Sequence, residues 1–274
     1  MRQLYCAERL STDFPAAILG FDDEYISDPI TVRRTDTAEL HSFDCAVLPV
    51  IPLDVSGHLN APCTSSPVSA SAVRDMLKDG AVIFTGRSDP CLSEFFPGME
   101  IREYLSREEL LLKNAIPTAE GTVQIALEEL PVTLSGLKVL VVGMGRCGSL
   151  IASLMRSFGA DVTAAVRSSS GAAKARIAGA MAVSAENMGS DYGLVINTAP
   201  ELVFDRSRLS GFRRSTLFID IASKPGGIDF KAASELGIKV IWALGIPGKS
   251  APVTSGEMIA ETVAAMLSER RASL

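Results

Sequence analysis

The sequence predicts an α/β protein that combines a Rossmann-type doubly wound parallel sheet with a smaller N-terminal α/β domain. Three observations predict it. Residues 138–148, KVLVVGMGRCG, form an apolar run that leads directly into Gly-x-Gly-x-x-Gly. An amphipathic segment follows and ends at Gly159, and a second apolar run begins at Asp161. Four further apolar runs follow at intervals that leave room for helices, as repeated strand–helix–strand units require.

The length of 274 residues suits two domains of ordinary size. We expect a substrate domain at residues 1–115 and a dinucleotide-binding domain at 116–252. A final helix within 253–274 is expected to pack back on the first domain. With 47% hydrophobic and 21% charged residues, the chain has the composition of a globular protein that builds its own cores.

Composition also excludes several classes of function. The net charge of −6 and the absence of a basic stripe argue against a nucleic-acid partner. The sequence has no apolar run of about 18 residues, so no membrane span is expected. Charged residues near the start of the chain do not fit a secretory signal. The five cysteines are scattered without a Cys-x-x-Cys pair, so we expect reduced thiols, a cytoplasmic protein and no metal site.

In the first domain we expect a helix at 1–10, a helix at 68–77 and four strands. The predicted strands cover 16–21, 44–50, 81–85 and 100–105. His58 lies in a long loop with several prolines, where it is either a surface residue or a substrate contact. Since α/β domains normally open on a strand, we also expect that a first strand with its glycine turn precedes the recorded start.

Helix caps and apolar runs predict the helix that connects the two domains and the elements of the second domain. Thr118 is expected to N-cap a bridging helix that Pro131 ends. A last amphipathic helix is expected at 255–270. The six strands of the second domain are predicted at 138–142, 161–166, 181–184, 193–198, 216–221 and 238–242.

The glycine turn is predicted to bind the pyrophosphate of a dinucleotide. Gly143 permits the tight turn, Gly145 lets the backbone approach the phosphates, and Gly148 lets helix and strand pack closely. The alternative is a tight turn without a ligand. The helix that follows offers free N–H groups and a partial positive charge. We therefore predict cofactor contacts at Gly143, Met144, Gly145, Arg146, Cys147 and Gly148.

The end of the second strand favours NADP over NAD. An NAD-selective site places Asp or Glu there, whereas this strand ends in Arg167, Ser168 and Ser169. No acidic residue occurs between Asp161 and Glu186. Arginine and serine hydroxyls are suited to a 2′-phosphate. The alternative is an ordinary solvated arginine and a site that accepts either coenzyme.

Three Gly/Pro-containing loops, 197–200, 222–227 and 244–254, are expected at the carboxyl ends of later strands, where ligands bind in this fold. Asn197, Thr198 and Ala199 are expected to face the nicotinamide ribose. Lys224 and Lys249 are candidate catalytic groups, either as cations for an anionic substrate or as a base. The alternative is that both are ordinary exposed charges near turns. Both histidines, His41 and His58, precede the cofactor domain, which disfavours the histidine-dependent mechanism of 2-hydroxyacid dehydrogenases.

Four stretches together resemble the A-subunit family of dipicolinate synthase from endospore-forming bacteria. They are NAIPTAEG at 114–121, VGMGRCG at 142–148, DIASKPGG at 220–227 and GIPGKSAP at 245–252. The resemblance covers nearly the whole chain. It departs from the family at the start, where Met1-Arg2-Gln3 stands in place of an initial strand and glycine turn.

The resemblance implies NADP-dependent oxidation of a dihydrodipicolinate to pyridine-2,6-dicarboxylate during sporulation, with the flavoprotein-like B-subunit of dipicolinate synthase as partner. It implies substrate contacts at Thr118, Glu120, Ser223, Lys224, Pro225, Gly226 and Gly248. A homo-oligomer is left open. One alternative is another Rossmann dehydrogenase that acts on methylenetetrahydrofolate or an amino acid. The other is a non-catalytic subunit that binds NADP while its partner performs the chemistry.

Overall fold

The computed structural model describes residues 1–26, 30–54, 56–87 and 91–272. The first part of the chain alternates short strands and helices and ends in a long helix. Its elements are α1 (Arg2–Ser11), β1 (Ala17–Ile18), β2 (Arg33–Arg34), β3 (Phe43–Val47), α2 (Ala70–Met76), β4 (Leu77–Thr85), α3 (Leu92–Phe95), β5 (Glu100–Glu103) and α4 (Glu108–Glu129).

The second part begins with the glycine-turn strand. Its elements are β6 (Lys138–Val142), α5 (Arg146–Ser157), β7 (Asp161–Val166), α6 (Ser169–Ile177), β8 (Met181–Ser184), β9 (Leu194–Asn197), α7 (Arg206–Leu209), β10 (Leu217–Asp220), α8 (Phe230–Leu236), β11 (Val240–Trp242), α9 (Ile246–Ser250) and α10 (Pro252–Ala272). The chain divides into two compact units. Unit 1 comprises Met1–Asn114 and the chain from Ala251 onward, and unit 2 comprises Ala115–Ser250.

Unit 2 contains a six-stranded parallel sheet with strand order β11-β10-β9-β6-β7-β8. The order reverses between β6 and β9, which is the switch point where doubly wound sheets bind their ligands. Each of the six predicted strands contains an observed strand. The α/β fold class predicted from the sequence is confirmed.

Apolar residues on both faces of this sheet explain its helical layers. Val139 and Val141 of β6 face one core, together with Ile151 and Met155 of α5. Leu140 and Val142 face the other core, which includes Phe204. Because every central strand is buried on both sides, its residues form a continuous apolar run rather than an alternating pattern.

Helix α4 differs from the prediction. It begins at Glu108 and continues through Pro117, so Thr118 lies inside the helix and is not its N-cap. The proline removes the backbone hydrogen bond that would reach Lys113. The buried side chains of Leu110 on one side of this position and of Val123 on the other are packed in cores. Tertiary packing therefore keeps the helix continuous where local sequence predicts a start.

Unit 1 contains a parallel sheet of order β3-β4-β5 and a separate parallel pair, β1 and β2. Both faces of β4 are buried, since Val82 and Phe84 join one core while Ala81 and Ile83 join another. Within the described residues, β1 pairs only with β2. The expected additional strand before the recorded start stays a prediction. In the described part of the chain, no helix combines the length and apolarity of a membrane span.

The first and last helices of the chain pack closely in unit 1. A Cβ added to Gly256 of α10 would overlap the carbonyl oxygen of Arg2 and lie 2.8 Å from the backbone nitrogen of Cys6. The contact buries Cys6 beside Ile259 and Val263. Burial raises the pKa of the Cys6 thiol to about 12, so this thiol stays protonated at neutral pH.

We expect Gly256→Ala to lower the free energy of unfolding by about 1–3 kcal/mol through overpacking. Helix propensity alone predicts the opposite sign, since alanine favours a helix over glycine by about 1 kcal/mol. Urea unfolding followed by circular dichroism measures the change. Ala265→Gly on the exposed side of α10 is the control for propensity and should lose about 1 kcal/mol. A more stable Gly256→Ala variant would contradict the close packing.

Candidate functional site

The glycine turn of unit 2 is built from backbone approaches that exclude side chains. Gly143 has φ +88°, and a Cβ there would lie 2.6 Å from Thr198 Oγ1. A Cβ on Gly148 would overlap the carbonyl oxygen of Gly143. A Cβ on Gly145, in contrast, would meet no atom within 4 Å. The first and third glycines are therefore needed for packing, and the second leaves open space.

The open space at Gly145 lies at the start of α5. Gly145 is the N-cap residue of this helix and provides no side-chain hydrogen bond to its first N–H groups. The free N–H groups and the positive end of the helix dipole attract anions. The cradle therefore fits a pyrophosphate group, because it combines anion-binding donors with room for phosphate oxygens.

Side chains within the turn have different environments. Met144 is buried in the core of unit 2, so only its backbone remains for a ligand. Arg146 is exposed. Cys147 is half-buried and contacts Thr118, and desolvation raises the pKa of its thiol above the ordinary value. Cys147 is consequently a neutral group at neutral pH.

A buried carboxylate connects two of the loops at this sheet edge. Asp220, at the end of β10, is fully buried. Its Oδ1 accepts hydrogen bonds from Asn197 Nδ2 at 2.9 Å and from the N–H of Ala222 at 3.0 Å. Its Oδ2 accepts one from the N–H of Gly227 at 2.8 Å. Asp220 therefore fixes the loop after β9 relative to the loop after β10.

Asn197 is part of this network. Its Nδ2 also donates to the carbonyl of Ala199 at 2.9 Å, and its Oδ1 accepts from the N–H of Ala199 at 3.2 Å. Asn197 is fully buried, so its side chain is not free to face a ribose as predicted. Thr198 instead fixes the glycine turn, since its Oγ1 donates to the carbonyl of Val142 at 2.8 Å.

The Ser-Lys-Pro-Gly-Gly stretch forms a tight turn on this scaffold. The Lys224–Pro225 peptide is cis, and the N–H of Gly226 donates to the carbonyl of Ser223 at 2.9 Å. Gly226 has φ +86°. A Cβ on Gly227 would overlap Asn197 Nδ2 and lie 2.8 Å from the carbonyl oxygen of Ala199. Gly226 is therefore required by its positive φ, and Gly227 by the close approach of Asn197 and Ala199.

The predicted cations lie at the surface of unit 2. Ser223, Lys224 and Pro225 are exposed, as is Lys249. Lys249 belongs to the short helix α9 and not to a loop as predicted. Ser250 Oγ of the same helix donates to the carbonyl of Pro117 at 3.1 Å. Lys224 and Lys249 form no ion pair within the described residues. A base role would require a buried ammonium group, so their exposure favours charge attraction to an anion.

The other predicted substrate contacts, Thr118, Glu120 and Gly248, do not lie on one surface. Thr118 contacts Cys147 of the glycine turn. Glu120 lies on another side of α4, in a surface groove whose lining includes Leu127 and Phe158. Gly248 is half-buried in α9, and its N–H donates to the carbonyl of Gly245 at 3.2 Å. Thr118 is thus close to the glycine turn, whereas Glu120 lines a different surface.

The adenosine end of the predicted site is marked by Arg167, which follows β7. Its side chain is 69% exposed and forms an ion pair with Glu201 on the loop after β9. Ser168 is the N-cap of α6, because its Oγ accepts from the N–H of Gly171 at 3.1 Å. Ser169 is exposed in the first turn of that helix. The sequence prediction missed Glu201, since only the sheet order brings the two loops together.

The sequence prediction also missed Asp220 as a site residue. An acidic residue at the end of an otherwise apolar strand is a signal that could have identified it. His58 of unit 1 has its Nδ1 3.2 Å from Ser56 Oγ within its own loop. Among residues 1–26, 30–54, 56–87 and 91–272, no group of three or more His, Cys, Asp or Glu side chains could hold a metal ion.

Two family models match consecutive parts of this chain. Residues 1–104 match the N-terminal domain of the dipicolinate synthase A-subunit. Residues 115–225 match the NAD-binding domain of D-isomer specific 2-hydroxyacid dehydrogenases. The dipicolinate synthase A-subunit of Bacillus subtilis (strain 168) is 31% identical over 243 residues, which cover 86% of this chain and 82% of that protein. The chain belongs to the dipicolinate synthase A-subunit family.

Solved structures extend the comparison within and beyond the family. The crystal structure of the dipicolinate synthase A-subunit from Bacillus halodurans is 29% identical and has a TM-score of 0.86. The alignment covers 97% of this chain and 94% of that one. A transhydrogenase from Sinorhizobium meliloti, 15% identical with a TM-score of 0.74 over 96% and 87% of the two chains, shares the fold. The match of residues 115–225 to the NAD-binding domain of dehydrogenases shows that unit 2 contains a dehydrogenase-type domain for a nicotinamide dinucleotide.

We expect Asp220→Asn to destabilise unit 2 and to weaken coenzyme binding. The amide offers one acceptor oxygen where the carboxylate offers two, so an N–H donor of Ala222 or Gly227 loses its acceptor. The expected loss in free energy of unfolding is about 1–3 kcal/mol. Urea unfolding and NADPH fluorescence titration measure the two effects.

Asp229→Asn is the matched control, because Asp229 N-caps α8 by accepting from the N–H of Ala232. Asparagine caps a helix about as well as aspartate, so this variant should keep both stability and coenzyme affinity. Equal stability of Asp220→Asn and the wild type would contradict the structural role of Asp220.

Proposed function

We propose that this chain is an NADP-dependent oxidoreductase that oxidises a dihydrodipicolinate to pyridine-2,6-dicarboxylate together with a second subunit. The observation that carries the proposal is the open space at Gly145, at the N-terminus of α5, between two glycines that admit no side chain. Membership of the dipicolinate synthase A-subunit family supports the choice of substrate. We infer a role in sporulation from the same resemblance.

The residues that would hold the coenzyme belong to three loops of unit 2. The backbone of 143–148 and the first turn of α5 would bind the pyrophosphate. Thr198 and Ala199 would border the nicotinamide side through their backbone, which the buried Asn197 side chain holds in place. When bound, the nicotinamide ring supplies the hydride acceptor for the oxidation. The protein's part is to orient the two reactants and to accept a proton.

Arg167 supports NADP over NAD. Its exposed guanidinium can reach a ligand, and the exposed Ser168 and Ser169 at the start of α6 add hydroxyl donors. A 2′-phosphate is a strong acceptor for such a set. The carboxylate that NAD-selective sites place at the end of the second strand is replaced here by Arg167.

The substrate carries two carboxylates, while the chain has a net charge of −6. Local cations must therefore offset the general repulsion of an anionic substrate. Lys224 and Lys249 are exposed and have no ion-pair partner within the described residues, which suits them to this role. We assign Ser223 and the backbone of Pro225 and Gly226 to substrate contacts on the same turn. We assign unit 1 to substrate binding as well.

The relative from Bacillus subtilis is named as a subunit, and we propose that this chain likewise acts with a partner, the dipicolinate synthase B-subunit. We also infer a cytoplasmic location, because five scattered cysteines without a Cys-x-x-Cys pair suit reduced thiols better than a disulfide framework. A second candidate function is a non-catalytic subunit that holds NADP for its partner. Two observations favour this second function. Both candidate lysines are exposed, and residues 115–250 contain no histidine.

We expect Arg167→Ala to weaken NADPH binding about tenfold to hundredfold, since it removes charge-assisted hydrogen bonds to the 2′-phosphate. NADH binding should change less than about threefold, because NADH has no such group. Fluorescence titration of the purified chain measures both. Arg213→Ala removes a similarly exposed arginine just before β10, at the opposite edge of the sheet, and should change neither affinity. Equal losses for both coenzymes would contradict the phosphate argument.

We expect the purified chain to reduce NADP⁺ when dihydrodipicolinate is supplied, with absorbance near the nicotinamide band as the measurement. Turnover by the chain alone supports catalysis by this subunit. Turnover only with the B-subunit supports the non-catalytic alternative or a shared site. No turnover with either arrangement would refute the proposed reaction.

A further inference from the structure

We propose that Glu201 is a specificity-determining residue that opposes NADP by competing with the coenzyme's 2′-phosphate for Arg167. This inference rests on the proposed function and names a residue that the sequence prediction did not contain. The observation that carries it is the position of the Arg167–Glu201 ion pair beside the glycine turn.

The strand order defines that position. Arg167 directly follows β7, and Glu201 lies four residues after the last residue of β9. Strand β6, which carries the glycine turn, lies between β7 and β9 in the sheet. The ion pair therefore joins the two loops that border the carboxyl end of β6. A dinucleotide on the glycine turn places its adenosine ribose at the end of β7, next to Arg167 and so close to the Glu201 carboxylate that pairs with it.

The backbone of Glu201 is fixed although its side chain is accessible. A Cβ on Gly227 would lie 2.9 Å from the carbonyl oxygen of Glu201, which shows how closely the two loops pack. The N–H of Val203 donates to the carbonyl of Gly227 at 2.9 Å. The carboxylate is therefore held within reach of Arg167, and half of the side chain is exposed.

The two coenzymes interact differently with this pair. A 2′-phosphate requires the guanidinium that Glu201 already holds, and it is repelled by the Glu201 carboxylate. A free 2′-hydroxyl can instead donate a hydrogen bond to a carboxylate, the role that Asp or Glu has in NAD-selective sites. Glu201 supplies such a carboxylate from the loop after β9. The pair thus favours NAD and disfavours NADP relative to Arg167 alone.

The test is titration of the full chain with NADPH and with NADH in the wild type and in Glu201→Gln. We expect Glu201→Gln to bind NADPH about fivefold more tightly, the upper range for the loss of an exposed ion pair. NADH affinity should stay equal or fall. The gain for NADPH should shrink between about 0.05 M and about 0.5 M salt because the charges are screened.

Glu235→Gln is the matched control. Glu235 pairs with Arg206 at similar exposure, 45% against 50% for Glu201, but lies in the last turn of α8. It should leave the ratio of the two affinities unchanged. In an Arg167→Gln background, Glu201→Gln should gain less than about twofold for NADPH, since the competition has been removed.

Three outcomes would overturn the inference. An unchanged NADPH-to-NADH ratio in Glu201→Gln shows that Glu201 does not select the coenzyme. An equal gain in the wild-type and Arg167→Gln backgrounds shows that competition for Arg167 is not the cause. A wild-type chain that binds neither coenzyme refutes the proposed function and this inference together, whereas binding of both with an unchanged ratio refutes only the inference.

Discussion

The buried carboxylate of Asp220 is the interaction on which the candidate site depends. A carboxylate without water is costly unless its oxygens accept several hydrogen bonds. Here two backbone N–H groups and the Asn197 amide meet that need. The bond from Asn197 connects the ends of β9 and β10, and the bonds from Ala222 and Gly227 shape the loop after β10, so satisfying the charge also fixes both loops. The next residue, Thr198, connects the loop after β9 to the glycine turn, because its Oγ1 donates to the carbonyl of Val142.

Buried polar residues and exposed cations at the carboxyl ends of the strands have different roles. The buried ones, Asn197 and Asp220, determine the backbone shape and have no accessible surface for a ligand. The exposed ones, Arg167 and Lys224, carry the charge that a ligand can use. An acidic protein that binds an anionic dinucleotide needs this separation, because only local positive charge offsets the overall repulsion.

Much of the fold could be predicted from the sequence, and the failures have physical causes. The strands of unit 2 are short apolar runs between glycine and polar segments, so local pattern is sufficient to find them. Thr118 has the chemistry of an N-cap, yet tertiary packing continues α4 through Pro117. The glycine turn was found because its steric requirements lie within six residues. Glu201 could not be found, since its partner is 34 residues away and the sheet order alone makes them neighbours.

The close approach of Gly256 to Arg2 has a consequence for biosynthesis. Unit 1 is assembled from the beginning and the end of the chain, with unit 2 encoded between them. On the ribosome, the sequence of unit 2 is complete before α10 emerges, whereas the core around Cys6 and Val263 must wait for that last helix. Until α10 has been synthesised, the apolar side of α1 that carries Cys6 lacks the helix against which it packs.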